Sequence, residues 1–410
     1  MPAVGSRTAP AAAPPAAVPL PDDRPLRWRA ALMALGAGVT AWFLTRLLSL
    51  FPLLADAVAG MSSGPLTRAL SALSGAVPLS VAELLLGGYT AWLLLVAGRA
   101  AGSAVRGRRR WRNALGGGAR RVARDAGCVV AAFYLCWGFN YAQPPFPERA
   151  GWPPFDGVPT AELVALAEDA TRALNAAYRE LHGSDDAGTP TRVPADPGEL
   201  QRLEAAIDEG WRRSAELLSL PPTAMASFGA VKRPWLTPVL GRLGIAGIYV
   251  PFTAEASVLR GAPALRLPMS MAHEKAHQRG YTSEADANFL GFVAAALAPD
   301  PRARYAAAYF AHGQLLSAVG PRAPEEWYRI RALRAPGVEH DRKVLLAFWS
   351  RYRGVMMEVG SGLNNSFLLA NGVEGGTESY RGSVWQMVAL ARLQSGRLLP
   401  RWEGREQGGG

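Results

Sequence analysis

Three long apolar segments near the N-terminus constrain the fold of this chain more than any other feature. They run from Ala30 to about Ala55, from Val77 to Gly98 and from Asp125 to Ala142. A helix needs about 17 to 25 largely apolar residues to cross a bilayer, so each segment predicts a transmembrane helix. Arg46 interrupts the first segment, so this span either ends near Thr45 or places Arg46 among the headgroups.

The placement of arginine predicts how these spans are oriented. Nine arginines and no acidic residue lie in the predicted loop 99–124, whereas the loop between the first two spans contains one arginine, Arg68. Positively charged loops remain in the cytoplasm, so we expect the N-terminus and loop 99–124 inside and the chain after Ala142 outside. The net charge of +11 then reflects topology and contact with anionic lipid, and we expect no nucleic-acid partner.

The chain divides into four predicted regions. Residues 1–27 are rich in Pro and Ala and predict a disordered cytoplasmic tail, 28–142 form the membrane region, 143–402 form an extracytoplasmic domain, and 403–410 form a flexible tail. Helical patterns within the outer domain cover residues 162–181, 199–220, 301–319, 324–333 and 341–357. We therefore expect a mainly α fold, with three N-terminal transmembrane helices followed by a mostly helical α+β domain.

The strongest chemical signal is the sequence HEKAH at residues 273–277. Positions i and i+4 of a helix share a face, so His273 and His277 can bind one Zn²⁺ while Glu274 faces the metal-bound water as general base. Short HExxH matches also occur on ordinary amphipathic helices, so the neighbouring sequence has to distinguish the two cases. Gly280 predicts that this helix stops shortly after its second histidine.

A second helix is predicted directly after this stop. Thr282 or Ser283 can cap it, and Glu284 in its first turn completes a His, His, Glu set with one open position, as in catalytic zinc sites. Asn288 shares the face of Glu284 and is expected to orient a ligand histidine from the second shell. Asp286 is the competing third ligand but points to another side of the helix. Both acids also fit a simpler role, in which they complement the helix dipole.

The remaining histidines and the cysteines narrow the choice of metal ligands. Cys128 and Cys136 fall in the third predicted span, so the outer domain has no thiolate to offer and must bind zinc through histidine and carboxylate. His182 is expected in a solvated loop, and His312 and His340 are expected to pack or lie on the surface.

Two further features bear on substrate binding. Residues 247–253 predict a short strand ahead of the HExxH helix, where metallopeptidases bind an extended substrate by backbone pairing; a plain edge strand has the same pattern. Tyr380 is a candidate to steady the oxyanion of a reacting carbonyl, and a structural role fits it equally well.

Five phrases together resemble a bacterial membrane family known as domain of unknown function 3810 (DUF3810). They are VPLSVAEL, WGFNYAQPP, VKRPWLTPVLGRLGIAGIYVPFTAEASV, LPMSMAHEKAHQRGYTSEADANFLGF and LANGVEGGTESYRGSVW. The resemblance covers about residues 30–395 and implies three spans, an external zincin-like domain, zinc bound by His273, His277 and Glu284, and Glu274 as base. Asp286 departs from the glutamate expected there. The acid followed four residues later by Asn288 is also similar to gluzincin peptidases, whose spacer is longer.

These observations predict a membrane-anchored, zinc-dependent metallopeptidase in the cytoplasmic membrane, with its catalytic domain outside. The expected substrates are envelope or membrane proteins or peptides, and membrane lipid is the other expected partner. Two alternatives remain: a zinc amidase acting on a cell-wall component, and a non-catalytic scaffold or receptor in which zinc joins two helices. Glu274 argues against the scaffold, because a structural site has no use for a base.

Overall fold

Helix dominates the structure, a computed structural model that describes residues 28–107, 110–186, 191–192 and 196–400. Helix accounts for 72% and strand for 2%, which confirms a mainly α fold and reduces the expected β component to one hairpin. The two predicted tails, 1–27 and 403–410, lie outside the described residues.

The N-terminal part forms four helices. They are α1 (Arg29–Leu48), α2 (Pro52–Gly75), α3 (Val81–Val105) and α4 (Trp111–Cys136). The first predicted span had two expected ends, near Thr45 or about Ala55. Helix α1 ends at Leu48, so the longer end is wrong, and Pro52 opens a new helix because proline is favoured in a first helical turn. The predicted external loop that follows is therefore the helix α2.

Two of the described helices, α1 and α3, are long and apolar enough to cross a membrane, which favours membrane association. The third predicted span does not form such a helix. It belongs to α4, whose first half carries arginines and whose apolar part extends only from Gly127 to Cys136 before the 3-10 helix Gly138–Ala142. The arginine-rich segment 99–124 is also mostly helical, since α3 and α4 extend into it from both sides.

Small residues bring α1 and α4 close together. A Cβ at Gly127 would collide with the backbone of Ala34, and one at Gly38 would lie 3.1 Å from the carbonyl oxygen of Gly127. Close contact of helix backbones at small residues is typical of helix pairs in membranes. Glycine at these two positions therefore allows α4 to pack along α1.

The remaining chain forms eleven helices and two strands in its described part. They are α5 (Phe146–Arg149), α6 (Thr160–His182), α7 (Pro197–Leu217), α8 (Thr237–Arg242), β1 (Gly247–Val250), β2 (Glu255–Val258), α9 (Leu267–Gln278), α10 (Glu284–Leu297), α11 (Pro301–Val319), α12 (Pro324–Ala332), α13 (Pro336–Ser350), α14 (Val355–Ala370) and α15 (Gly382–Leu393). The predicted helix 341–357 is two helices, α13 and α14, with Gly354 before the second.

Helix α10 is buried on nearly all sides and forms the centre of the part of the chain that follows α4. It packs against α7, α9, α11 and α15, and its Phe289 and Phe292 are fully enclosed. A Cβ at Gly210 of α7 would collide with the carbonyl oxygen of Ala294, so glycine allows these two helices to cross closely. A helix that is apolar on all sides is stable only when neighbouring elements bury it. The packing of α10 among these helices fixes its first turn beside α9.

The part of the chain after α4 and the start of α3 are joined by two carboxylates, the buried Glu255 and the half-buried Glu83. Glu255 of β2 accepts hydrogen bonds from the backbone N–H groups of Val81 and Ala82, at 2.8 and 2.9 Å, and so caps the positive end of α3. In the other direction, Glu83 of α3 accepts hydrogen bonds from the backbone of Trp235 at 2.9 Å. The N-terminal end of α3 therefore lies on the side of the outer domain.

Candidate metal centre

The loop between α9 and α10 brings the predicted ligands together. Gly280 has φ of +92°, a conformation that favours glycine, and ends the helix that carries the histidines. Ser283 then accepts a hydrogen bond from the N–H of Asp286 at 3.3 Å and caps α10, as its sequence predicts. A Cβ at Gly291 would lie 3.0 Å from the backbone nitrogen of His273, so glycine keeps α10 close to α9.

Three donor atoms meet at this junction. Oε2 of Glu284 lies 3.2 Å from Nε2 of His273 and 3.7 Å from Nε2 of His277, and the three ligand atoms all lie within 4.8 Å of one another. Donors bound to one tetrahedral Zn²⁺ at about 2.0–2.2 Å lie roughly 3.4 Å apart, so the spacing fits a zinc ion. Oε2 of Glu284 is also buried without a hydrogen-bond partner, an arrangement that a bound cation would satisfy.

The orientation of His277 is fixed by its surroundings. Its Nδ1 lies 2.6 Å from the carbonyl oxygen of Tyr281, so Nδ1 carries the proton and donates, which leaves Nε2 free to bind a metal. Trp137, which follows α4, donates from Nε1 to the carbonyl oxygen of His277 at 3.1 Å and packs edge-on against its ring. No local pattern in the sequence indicates this contact, because 140 residues separate Trp137 from His277.

The buried groups of the cluster stabilise one another's charged forms. Burial lowers the pKa of His277, but the Glu284 carboxylate outweighs burial and holds this pKa above its ordinary value. Burial raises the pKa of Glu284, but the imidazoles of His277 and His273 outweigh it and hold that pKa below its ordinary range. Glu284 is therefore ionised, as a zinc ligand must be.

The other side of α9 is tied to α7 by buried ion pairs. Lys275 is fully buried, and its Nζ lies 3.0 Å from Oε1 of Glu204 and 2.9 Å from both carboxylate oxygens of Asp208. Arg279, one turn further along, also pairs with Asp208 and stacks over Trp211. These contacts hold the helix that carries both histidines, and no motif in the sequence indicated them.

Glu274 lies beside the hairpin. The side chain is buried, and a Cβ at Gly247 of β1 would lie 2.5 Å from its Oε1, so a larger residue at that position would displace the Glu274 carboxylate. Burial raises the pKa of Glu274 above its ordinary value, as suits a group that accepts a proton near neutral pH. On its other side, β1 pairs antiparallel with β2 in the register Gly247↔Val258 and Val250↔Glu255, and no second strand pairs with β1 among the described residues.

Tyr380 approaches the cluster from the 3-10 helix Gly376–Arg381. Its hydroxyl accepts a hydrogen bond from Nδ2 of Asn364 at 3.2 Å. Burial raises the pKa of Tyr380 above its ordinary value, and the nearby carboxylates of Glu284 and Glu274 raise it further. The phenol therefore stays protonated and can donate a hydrogen bond; sequence reasoning had not identified Asn364 as its partner.

Asp286, the competing third ligand, and Asn288, which was expected to orient a histidine, form no hydrogen bond with His273 or His277 in the described structure. Asp286 accepts hydrogen bonds from the backbone N–H of Phe146 at 2.9 Å and from Nε2 of Gln386 at 2.6 Å, so it joins α10 to α5 and α15 instead. Burial raises its pKa to about 6. Asn288 is buried, and no hydrogen bond joins it to His273 or His277 in the described structure. Two residues separate Asp286 from Glu284, which turns its side chain away from the metal ligands.

The other three histidines lie elsewhere. His312 is buried between Thr171 and Arg334, at 3.0 and 2.8 Å. His182 ends α6 and lies 2.9 Å from the hydroxyl of Thr191, and His340 lies within α13. In the described part of the chain, only His273, His277 and Glu284 form a group of three that could hold a metal ion.

Fold and site define a mainly helical protein with candidate membrane helices and a helix-borne His, His, Glu cluster. The chain belongs to the family described as "Protein of unknown function (DUF3810)", which matches residues 64–390 and so covers the cluster. No curated protein and no solved structure matches the chain.

Proposed function

We propose that this chain is a membrane-anchored, zinc-dependent metallopeptidase whose zincin-like domain lies outside the cytoplasmic membrane. The observation that carries this proposal is the convergence of His273, His277 and Glu284, with a buried oxygen of Glu284 that has no hydrogen-bond partner. All three atoms suit zinc, and the set leaves a position open for a water molecule or a substrate.

The residues around this site have the properties that amide hydrolysis requires. A Zn²⁺ ion held by the three ligands supplies Lewis-acid activation of water and of a carbonyl group. Glu274, with its raised pKa, accepts the proton of the attacking water and passes it to the leaving amine. Tyr380 stays protonated and donates a hydrogen bond to the oxygen that becomes negative in the transition state.

The hairpin favours a peptide substrate. Gly247 places the backbone of β1 directly against Glu274, and β1 pairs with a strand on one edge only in the described structure. An extended peptide bound along the other edge would present its carbonyl groups beside the base. A zinc amidase would use the same catalytic groups but gains nothing from this edge, and a zinc-stapled scaffold leaves Glu274 and Tyr380 without a role.

Contacts between the outer domain and the N-terminal helices support a three-span arrangement. Glu255 binds the first turn of α3, Arg46 near the end of α1 donates to the carbonyl oxygen of Asn371, and Trp137 at the end of α4 donates to His277. The end of α1, the start of α3 and the end of α4 thus share one side. We take α1 and α3 as two crossings and α4 as the third, although only the part of α4 from Gly127 to Cys136 is apolar, with the arginine-rich segment between α3 and α4 in the cytoplasm.

Cleavage of a peptide library by the purified full-length chain in detergent tests the proposal. The wild type is expected to cleave, and Glu274→Gln to lose about 10²–10⁴-fold in rate, because the amide cannot accept the proton of water. Glu325→Gln, which changes an exposed glutamate on α12, serves as the matched control and is expected to cleave normally. Full activity of Glu274→Gln on a substrate of the wild type would show that the mechanism is wrong.

A further inference from the structure

Helix α14 carries an apolar face that the described part of the protein leaves exposed. Val355, Val359, Leu363 and Phe367 recur every fourth residue and form one stripe, with exposed fractions of 73, 45, 64 and 43%. The only charged residue of the helix is Glu358. An exposed apolar stripe of this length marks an interaction surface.

The opposite face of the same helix packs on the protein. A Cβ at Gly360 would collide with the carbonyl oxygen of Leu243, and Leu368 is buried. Asn364 donates to Tyr380, and Asn365 accepts a hydrogen bond from the N–H of Thr377 at 2.9 Å. The orientation of α14 is therefore fixed: Val355, Val359 and Leu363 point outwards, and Phe367, partly exposed, also packs against the rings of Phe133 and Tyr141.

The C-terminal end of α14 is joined to the membrane helices. Nε1 of Trp42 donates to the carbonyl oxygen of Ala370 at 2.9 Å, and Arg46 donates to that of Asn371 at 3.3 Å. Tyr134 of α4 donates to the side chain of Asn371 at 2.9 Å. Backbone carbonyls at a helix end need such donors where water is excluded. The end of α14 therefore lies beside the candidate membrane helix α1 and beside α4, whose Phe133 ring packs edge-on against Phe367 at 5.8 Å.

The polar groups of α14 also fit a lipid environment. Ser366 satisfies its hydroxyl within the helix, by donating to the carbonyl oxygen of Gly362 at 2.9 Å. Arg351 and Arg353 lie exposed just before the helix, where they can contact anionic headgroups. With 16 residues the helix is about 24 Å long, which is shorter than the hydrocarbon core.

We propose that α14 is embedded in the outer leaflet of the membrane, with its stripe of Val355, Val359, Leu363 and Phe367 against lipid acyl chains. The proposal rests on the membrane anchorage proposed above and not on zinc. Asn364, which directly follows Leu363 of the stripe, bonds to Tyr380, so this placement brings the candidate active site close to the membrane surface.

Spin labels on the full-length chain in phosphatidylethanolamine and phosphatidylglycerol vesicles test this placement. Cys128 and Cys136 are first replaced by alanine, and single cysteines are introduced as Leu363→Cys on α14, Leu85→Cys on α3 and Tyr328→Cys on α12. All three positions are exposed in the described structure, so labelling leaves the core intact. We expect collisions with oxygen to exceed those with a water-soluble nickel chelate at 363 and at 85, and the reverse at 328.

Three results would overturn the proposal, and they differ in what they leave standing. Nickel accessibility at 363 with lipid exposure at 85 would place α14 in water and leave the membrane anchorage intact. Low accessibility to both reagents at 363 would show that protein, such as a second copy of the chain, covers the stripe. Nickel accessibility at both 363 and 85 would contradict the membrane anchorage itself, and therefore also the placement of α14 in the membrane.

Discussion

Nζ of Lys275 lies 2.9 Å from both carboxylate oxygens of Asp208, so an inner residue of the HExxH motif ties the helix that carries His273 and His277 to α7. Lys275 is fully buried and also pairs with Glu204. The histidines of α9 and its buried lysine thus serve two sides of one helix. The ion pairs on one side fix the position of α9, and the opposite side carries the two histidines.

Removal of this lysine is expected to destabilise the protein strongly. Lys275→Ala removes the fully buried cation that both Glu204 and Asp208 face and leaves Arg279 as the remaining cation beside Asp208; the loss of one partner of a buried ion pair costs about 3–5 kcal/mol in unfolding free energy. Chemical denaturation of the purified chain in detergent measures the change. Lys343→Ala, at an exposed lysine of α13, is the matched control and is expected to change stability by less than about 0.5 kcal/mol. Equal effects of the two substitutions would contradict the role of Lys275.

The third ligand can be tested by a pair of matched substitutions. Glu284→Gln is expected to weaken zinc binding by on the order of 100-fold or more, since a neutral amide is a poor ligand and even second-shell changes cost 10–100-fold. Asp286→Asn is expected to retain zinc affinity, because Asp286 bonds to Phe146 and Gln386 and not to the cluster. Titration with a competing chelator measures both. The opposite pattern would assign the third ligand to Asp286.

The orientation in the membrane predicts a labelling pattern on intact cells. In a chain that lacks Cys128 and Cys136, a cysteine at exposed Trp111 should resist a membrane-impermeant maleimide, whereas one at exposed Tyr328 should react. Trp111 lies in the arginine-rich region that is expected to remain in the cytoplasm. Labelling at 111 but not at 328 would invert the topology.

His312 predicts a loss of stability in acid. Arg334 donates to its Nε2, so Nδ1 carries the proton and donates to the hydroxyl of Thr171, which in turn donates to the carbonyl oxygen of Ala167. This arrangement suits only the neutral imidazole. Burial, together with the charge of Arg334, lowers the pKa of His312 to about 3.

The sign of this effect follows from proton uptake. Between pH 6.5 and about 3 the unfolded chain binds a proton at His312 that the folded protein does not, so stability is complete above pH 6.5 and falls as the pH falls. The slope from this group reaches about 1.4 kcal/mol per pH unit. His312→Gln should lose this contribution in denaturation curves measured between pH 7 and pH 4. A variant with an unchanged slope would contradict the neutral, buried histidine.

Local patterns in the sequence were sufficient to place the ligands. The spacing of His273 and His277, the stop at Gly280 and the cap at Ser283 each act within a few residues, so they predicted two helices in contact and Glu284 beside the histidines. The same reasoning could not find contacts between distant segments. Nothing local links Trp137 to His277, Asn364 to Tyr380 or Lys275 to Asp208, because the packing of several helices creates each contact.

The N-terminal helices show a different limit of prediction from sequence. Hydropathy located the apolar segments, but it is insensitive to a single proline. Pro52 starts α2, so the first apolar segment is divided between two helices. It also did not reveal that α4 begins at Trp111, among arginines, so that only its second half is apolar. Helix boundaries are set by capping and by single prolines, which an average over a long window hides.

The metal content of the purified full-length chain tests the central claim most directly. After dialysis against metal-free buffer, mass spectrometry of the elements is expected to find about one zinc per wild-type chain, because three ligands converge on one position. His273→Ala and His277→Ala should each lose this zinc, since two ligands cannot hold the ion, whereas His340→Ala, at a histidine of α13 remote from the site, should retain it. A wild type without zinc, or either site variant with a full complement, would contradict the account.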